Sequence, residues 1–213
     1  MKKERRLILA LDVTSRARAL DLSVMLKDHF DAIKVGYPLI LSAGLEVVKE
    51  ISAYLPIIAD LKIADIPNTN RLICEAVLSA GATALIAHAF PGKDALLACA
   101  ESAAAQEAEL YVVTEMSHPG ALQFMAPLAE DLARLAVNVN AAGVVAPATR
   151  PERIRLIRSI IGSRTIISPG VGVQGGPASR ALEAGSDYLI VGRSITEAED
   201  PVAAAEAILA QIS

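Results

Sequence analysis

The stretch PIIADLKIADIPNTNRLICEAVLSAGATALIAH, residues 56–88, holds one complete unit of the fold. A short apolar run, Pro56–Leu61, leads into a segment of helical period, Thr69–Ala80, and after Gly81 comes a second apolar run, Thr83–His88. Two buried strands joined through a helix must lie parallel, because the connection carries the chain back to the end where it began. The same alternation extends both ways. Upstream lie strand candidates Leu7–Asp12 and Asp31–Val35, followed by helix candidates Arg16–Phe30 and Leu39–Tyr54. Downstream, strands Leu110–Thr114, Gly143–Ala146, Thr165–Ser168 and Asp187–Val191 alternate with helices Lys93–Ala105, Gln123–Asn138, Pro151–Ile161, Pro177–Ala184 and Val202–Ile212. Thr14 or Ser15 can cap the first helix, Gly81 and Gly185 end others, and Pro151, Pro177 and Pro201 sit near helix starts. Eight such units predict an α/β fold, a (β/α)8 TIM barrel built as a single domain over residues 1–213; an open doubly wound sheet is the competing arrangement.

The composition agrees with this reading. Hydrophobic types make up 53% of 213 residues but aromatics only 3%, with no Trp, so the core must be layered from Ala, Leu, Ile and Val. Acidic residues outnumber basic ones by 24 to 20, and a net charge of −4 offers no broad field for nucleic acid or an anionic membrane. The basic, then apolar start resembles a signal peptide only until Asp12 cuts the run short, and no stretch is long enough to span a bilayer. Cys74 and Cys99 lack companions at metal-ligand spacing and read as reduced, buried thiols, which predicts a cytoplasmic protein.

In a barrel of this kind the chemistry gathers where the strands end. Asp12 ends the first strand, Lys34 lies in the second, and the third runs into Asp60-Leu61-Lys62-Ile63-Ala64-Asp65. Alternation along a strand puts Asp60 and Lys62 on one face, with Asp65 in the loop beyond. Singly, each charge reads as a cap or a solvated pair. Together they form an array, Lys34, Asp60, Lys62 and Asp65, whose opposite charges compensate one another at the end of an apolar barrel. Such preset charges are what electrostatic catalysis requires.

After the seventh strand the chain reads Ser168-Pro169-Gly170-Val171-Gly172-Val173-Gln174-Gly175-Gly176-Pro177, and after the eighth Gly192-Arg193-Ser194. Glycines let backbone N–H groups approach an anion and Arg193 adds a forked donor, so these loops predict a phosphate site. The match to G-x-G-x-x-G at Gly170–Gly175 does not indicate a dinucleotide, because the nearby acid, Asp187, opens a strand where ribose recognition needs it at the end of one. His29 reads as solvated and His88 as packed and hydrogen-bonded, while His118 borders the barrel mouth; no metal-ligand cluster is visible.

The combination of Asp60-x-Lys62-x-x-Asp65 with Lys34, Thr114-Glu115-Met116-Ser117-His118-Pro119-Gly120, Ser168-Pro169-Gly170-Val171-Gly172 and Ile190-Val191-Gly192-Arg193-Ser194 resembles the orotidine 5′-phosphate decarboxylase family, particularly its short archaeal-type form, over nearly the whole chain. The resemblance implies a cofactor-free, metal-free decarboxylation of orotidine 5′-monophosphate to uridine 5′-monophosphate in pyrimidine biosynthesis. Lys62 would donate the proton to C6, with Asp60 beside the departing carboxylate. Lys34 would link Asp60 to the ribose, and Asp12 would hold a ribose hydroxyl. Asp65, Ile66 and Thr69 match positions that in the family reach into a neighbouring subunit's site, implying a homodimer with shared sites. Ser117 would contact the base; Gln174, Gly192 and Arg193 would hold the phosphate, with Pro169 and Val171 beside the nucleotide.

Two other readings remain open in the sequence. Mg²⁺-dependent relatives of the 3-keto-L-gulonate 6-phosphate decarboxylase and hexulose-6-phosphate synthase type look similar in the Asp60–Asp65 segment, but the cation at Lys34 disfavours a divalent metal there. A non-catalytic nucleotide-binding barrel would share the scaffold.

Overall fold

The computed structural model describes residues 3–172 and 178–212. Eight strands, β1 (Leu7–Ala10), β2 (Ala32–Gly36), β3 (Ile57–Ile63), β4 (Ala84–His88), β5 (Glu109–Val113), β6 (Gly143–Val145), β7 (Thr165–Pro169) and β8 (Tyr188–Val191), pair in chain order and in parallel. β8 pairs with β1, so the barrel is closed and the open-sheet alternative falls.

Period-two alternation divides the core into two shells. On β1, Leu7, Leu9 and Leu11 face the layer beneath the helices, while Ile8 and Ala10 face the barrel interior. β2 and β3 repeat this with Ile33, Val35, Ile57, Ala59 and Leu61 outward, and Ala32 and Ile58 inward. The inward series continues, on the same parity, into Asp12, Lys34, Asp60 and Lys62. Lys34 pairs in register with Ala10 on one side and Ile58 on the other, and Asp60 with Gly36. Of these neighbours Ala10 and Gly36 are small and leave room for the charged side chains.

Helix breakers shape the outer ring. The segment expected as one helix, Leu39–Tyr54, is two, α2 (Tyr37–Ala43) and α3 (Glu46–Ile51), because Gly44 between them takes a left-handed φ of 81°. The preceding α1 (Arg16–Leu26) is capped by Ser15, whose hydroxyl accepts from Arg18 N, and stops short of the expected Phe30. After β3 comes α4 (Pro67–Ser79), then α5 (Lys93–Ala105). Pro127 splits the stretch expected as Gln123–Asn138 into α6 (Ala121–Phe124), a 3₁₀ turn at Ala126–Leu128 and α7 (Ala129–Asn138). α8 (Pro151–Ile161) and α9 (Ala178–Glu183) follow. Arg193–Thr196 forms an unexpected short helix, α10, before α11 (Pro201–Leu209), which is capped by the Asp200 side chain.

Gly143 opens β6 where a side chain cannot fit: a Cβ there would lie 2.1 Å from the carbonyl oxygen of Thr165 on β7. The contact is backbone, so relief requires the strands to part. We expect Gly143→Ala to cost about 3 kcal/mol of unfolding free energy. Urea titration of the two proteins measures this; a loss below about 1 kcal/mol would show that the barrel yields there.

Candidate active site

The inward charges meet at the C-terminal mouth in one connected chain. Lys34 Nζ lies 3.2 Å from Asp12 Oδ1 and 3.2 Å from Asp60 Oδ2, and Lys62 Nζ lies 2.8 Å from Asp60 Oδ1. The side chains of Lys34 and Asp60 are only 8% and 10% exposed, whereas those of Lys62 and Asp12 are 35% and 46%. The array is therefore anchored in its middle and open at its ends. Burial by itself pushes Lys34 down, but the carboxylates of Asp60 and Asp12 together outweigh it and hold the ammonium above its ordinary pKa. For Asp60 burial pushes upward, and Lys34 with Lys62 outweighs it, so the carboxyl stays below the usual range. Both inner groups are charged at neutral pH. One acid bridging two cations satisfies the condition under which buried charges persist.

The backbone at Lys62 is unusual: φ is 45°, in the left-handed region that non-glycine residues seldom occupy. The pairing of β3 with β4 shifts register between Ala59 and Ile63, around this residue. A bulge of this kind re-aims a side chain at a sheet's end, and here the re-aimed side chain is the most exposed cation of the array. Gly36 contributes by absence: a Cβ there would stand 3.2 Å from Asp12 Oδ1 and 3.7 Å from Lys34 Nζ.

Around the array lies a cavity of about 250 Å³. Its lining includes Asp12, Lys34, Asp60, Lys62, Ser117, Pro169, Val171, Gly192 and Arg193, nine of the residues singled out from sequence. Ile86, Val113, Met116, Val145 and Ile190 supply an apolar wall that sequence reasoning had not assigned. Charge lies on one side and grease on the other, which suits a flat, partly polar ring. Gly170, Gly192, Arg193 and Ser194 come to the same cavity from the two loops after β7 and β8. Among the described residues the Arg193 guanidinium forms no ion pair, and the buried Ser194 Oγ has no hydrogen-bond partner. A Cβ on Gly172, whose φ is 80°, would meet Ser194 Oγ at 2.9 Å. Unpartnered donors at a glycine-lined cavity fit an oxyanion.

Asp65, Ile66 and Thr69 do not line this cavity. Asp65 belongs to no ion pair among the described residues; the second acid of this chain's own array is Asp12, which pairs with Lys34 and not with Lys62. The reason is local. After Ile63 the chain turns outward: Asp65 Oδ1 accepts from Ile66 N at 2.7 Å, and the buried Asn70 Oδ1 accepts from Asp65 N at 3.0 Å. This turn leaves Asp65 and Ile66 exposed at the start of α4. Gln174 lies outside the described residues.

His88, at the end of β4, is held by burial, and next by the Lys62 ammonium, at a pKa of about 4, with Asp60 pulling the other way. Its Nδ1 has no partner among the described residues, so the hydrogen bond expected of a packed histidine is missing there. The folded ring stays neutral where the unfolded chain takes up a proton below the ordinary 6.5, so stability falls as pH drops from about 6.5 to about 4 and then levels off. We expect about 2 kcal/mol less stability near pH 4.5 than at neutrality. Urea unfolding at both pH values should show this loss in the wild type and not in His88→Asn; equal losses would refute it.

Comparison with known proteins agrees with this geometry. Residues 5–208 match the family model described as orotidine 5′-phosphate decarboxylase / HUMPS family. The chain is 56% identical, over 98% of its own length and 97% of the relative's, to orotidine 5′-phosphate decarboxylase of Methanococcoides burtonii. It is 50% identical, over 99% and 98%, to the Thermococcus kodakarensis protein of the same name. Among solved structures, orotidine 5′-monophosphate decarboxylase from Methanocaldococcus jannaschii complexed with the inhibitor BMP superposes with a TM-score of 0.93 at 43% identity, covering 97% of this chain and 98% of that one.

Proposed function

From membership of the orotidine 5′-phosphate decarboxylase / HUMPS family, to which this chain belongs, we infer that the cavity binds orotidine 5′-monophosphate and replaces its carboxyl group with a proton, giving uridine 5′-monophosphate for pyrimidine biosynthesis. The observation that carries this reading is the Asp12–Lys34–Asp60–Lys62 array along one side of the cavity.

The C6–carboxyl bond breaks with its electron pair left on C6, in an orbital the ring does not delocalise, and CO₂ departs. Lys62 stabilises that pair electrostatically and then delivers a proton from Nζ to C6; the resulting amine regains a proton from solvent. Asp60 keeps Lys62 placed and faces the leaving carboxylate. Repulsion of two carboxylates at about 4 Å is worth roughly 4 kcal/mol at an effective dielectric near 20, against the 8–23 kcal/mol typical of enzymes. Carbanion stabilisation is therefore the larger contribution. Lys34 and Asp12 hold the ribose, Ser117 the base, and Pro169 and Val171 pack beside the nucleotide. Gln174, Gly192 and Arg193 hold the phosphate, whose binding energy assists the distant chemical step.

The family model also covers Mg²⁺-dependent relatives, but in this chain Asp12 and Asp60 are already bound by ammonium groups. The two lysines take up the carboxylates that a divalent cation would need. Purified protein mixed with orotidine 5′-monophosphate in EDTA, followed by ultraviolet absorbance, tests the reading. Decay of the substrate spectrum supports it; intact substrate, or activity only when Mg²⁺ is restored, counts against it.

The reading extends to a homodimer. Tyr37, Leu41, Ile66 and Phe90, on segments that follow β2, β3 and β4, are 51%, 79%, 64% and 59% exposed, and a second copy covering them would bring Asp65, Ile66 and Thr69 to its neighbour's cavity. A cytoplasmic location fits the two free, buried cysteines, Cys74 and Cys99. No helix among the described residues is long and apolar enough to cross a membrane.

A further inference from the structure

Glu115 has no part in the chemistry above, yet its side chain is 0% exposed and lies next in sequence to the cavity wall. Two guanidinium groups hold it: Arg150 Nε donates to Oε1 at 2.7 Å and Arg153 Nε to Oε2 at 2.8 Å. Both arginines also grip backbone. Arg150 donates to the carbonyl oxygens of Met116 and, at 3.4 Å, Ser117, while Arg153 donates to Ala126 O at 2.7 Å. Thr149 Oγ1 adds a bond of 3.2 Å to Ser117 O. Arg150 immediately precedes α8 and Arg153 lies in its first turn, so the loop after β5 is tied to a rigid helix through one buried carboxylate.

The consequence comes from peptide planarity. In the Met116–Ser117 peptide the C=O and the N–H point in opposite directions. With the Met116 carbonyl turned onto Arg150, the Ser117 N–H is turned away from it, and both residues line the cavity. We infer that Glu115 is a positioning residue: by fixing Arg150 it orients this peptide so that the Ser117 N–H meets an acceptor on the pyrimidine ring. The inference rests on the decarboxylase reading of the cavity. Such a donor touches the base and not the sugar phosphate, so the effect of the network is confined to the base half of the ligand.

The test separates those two halves of the ligand. Affinities for uridine 5′-monophosphate and for ribose 5-phosphate are measured by calorimetry on wild type, Glu115→Gln and Arg150→Lys. Arg150→Lys leaves Glu115 paired with Arg153 but lacks the fork that reaches carboxylate and carbonyl together, so it serves even where Glu115→Gln fails to fold. In each folded variant we expect uridylate affinity to fall about tenfold, with ribose 5-phosphate affinity changed less than about twofold. Equal weakening of both ligands, or of neither, overturns the positioning role. Failure of wild-type protein to bind uridylate would instead overturn the reading of the cavity itself.

Discussion

Lys62→Ala should lose about 10⁴–10⁷-fold in kcat, since a positioned proton donor contributes 10²–10⁴ and a preorganised charge another 10²–10³. The array's other cation cannot substitute. Lys34, the remaining ammonium of the array, is locked between Asp12 and Asp60 with its side chain 8% exposed, so its protons and charge are already committed. Binding should survive, because Arg193 and the glycine loops follow β7 and β8, whereas Lys62 stands on β3. Removing the ammonium also leaves Asp60 with one partner, and product carries no carboxylate to oppose it. Uridylate affinity should therefore stay within about tenfold of wild type. Turnover is read from the substrate's ultraviolet band, and the absence of Trp keeps the protein's own absorbance low. Substantial residual decarboxylation would remove Lys62 from its assigned role.

Arg193→Ala should lower kcat/KM by about 10²–10³-fold, the equivalent of about 3–4 kcal/mol, as for a charge-assisted pair left without one partner. Most of the effect should lie in KM, and some should reach kcat, because binding energy gathered at the phosphate is used at the reacting carbon. The guanidinium is exposed and forms no ion pair among the described residues, so the fold should hold without it. An unchanged kcat/KM would refute phosphate recognition by this side chain.

The eight strands were legible because each is a short Ile- and Val-rich run between helical segments, and the period of two correctly placed Asp60 and Lys62 on one face. That same period could not foretell the left-handed backbone at Lys62, which comes from pairing with β4 and not from local sequence. Gly44 and Pro127, both visible as breakers, divided helices that hydrophobic spacing alone had joined. Asp65 shows a different limit. Its spacing from Lys62 suggests a partner within reach, but the turn pinned by Asn70 sends it outward, and only the tertiary path reveals that. Glu115 was in plain view within the Thr114–Gly120 loop. What hid its importance was distance along the chain, since Arg150 and Arg153 lie 35 and 38 residues away and nothing local marks them as partners.

Closure of β8 onto β1 has an implication for synthesis of the chain. The array draws on Asp12 from the first strand's end, and the cavity is completed by Arg193 just after the last. A nascent polypeptide emerging from the ribosome therefore carries Lys34, Asp60 and Lys62 for most of its elongation with no finished pocket around them. Activity is in this sense a late reporter of assembly, arriving only when the two ends of the sheet have found each other.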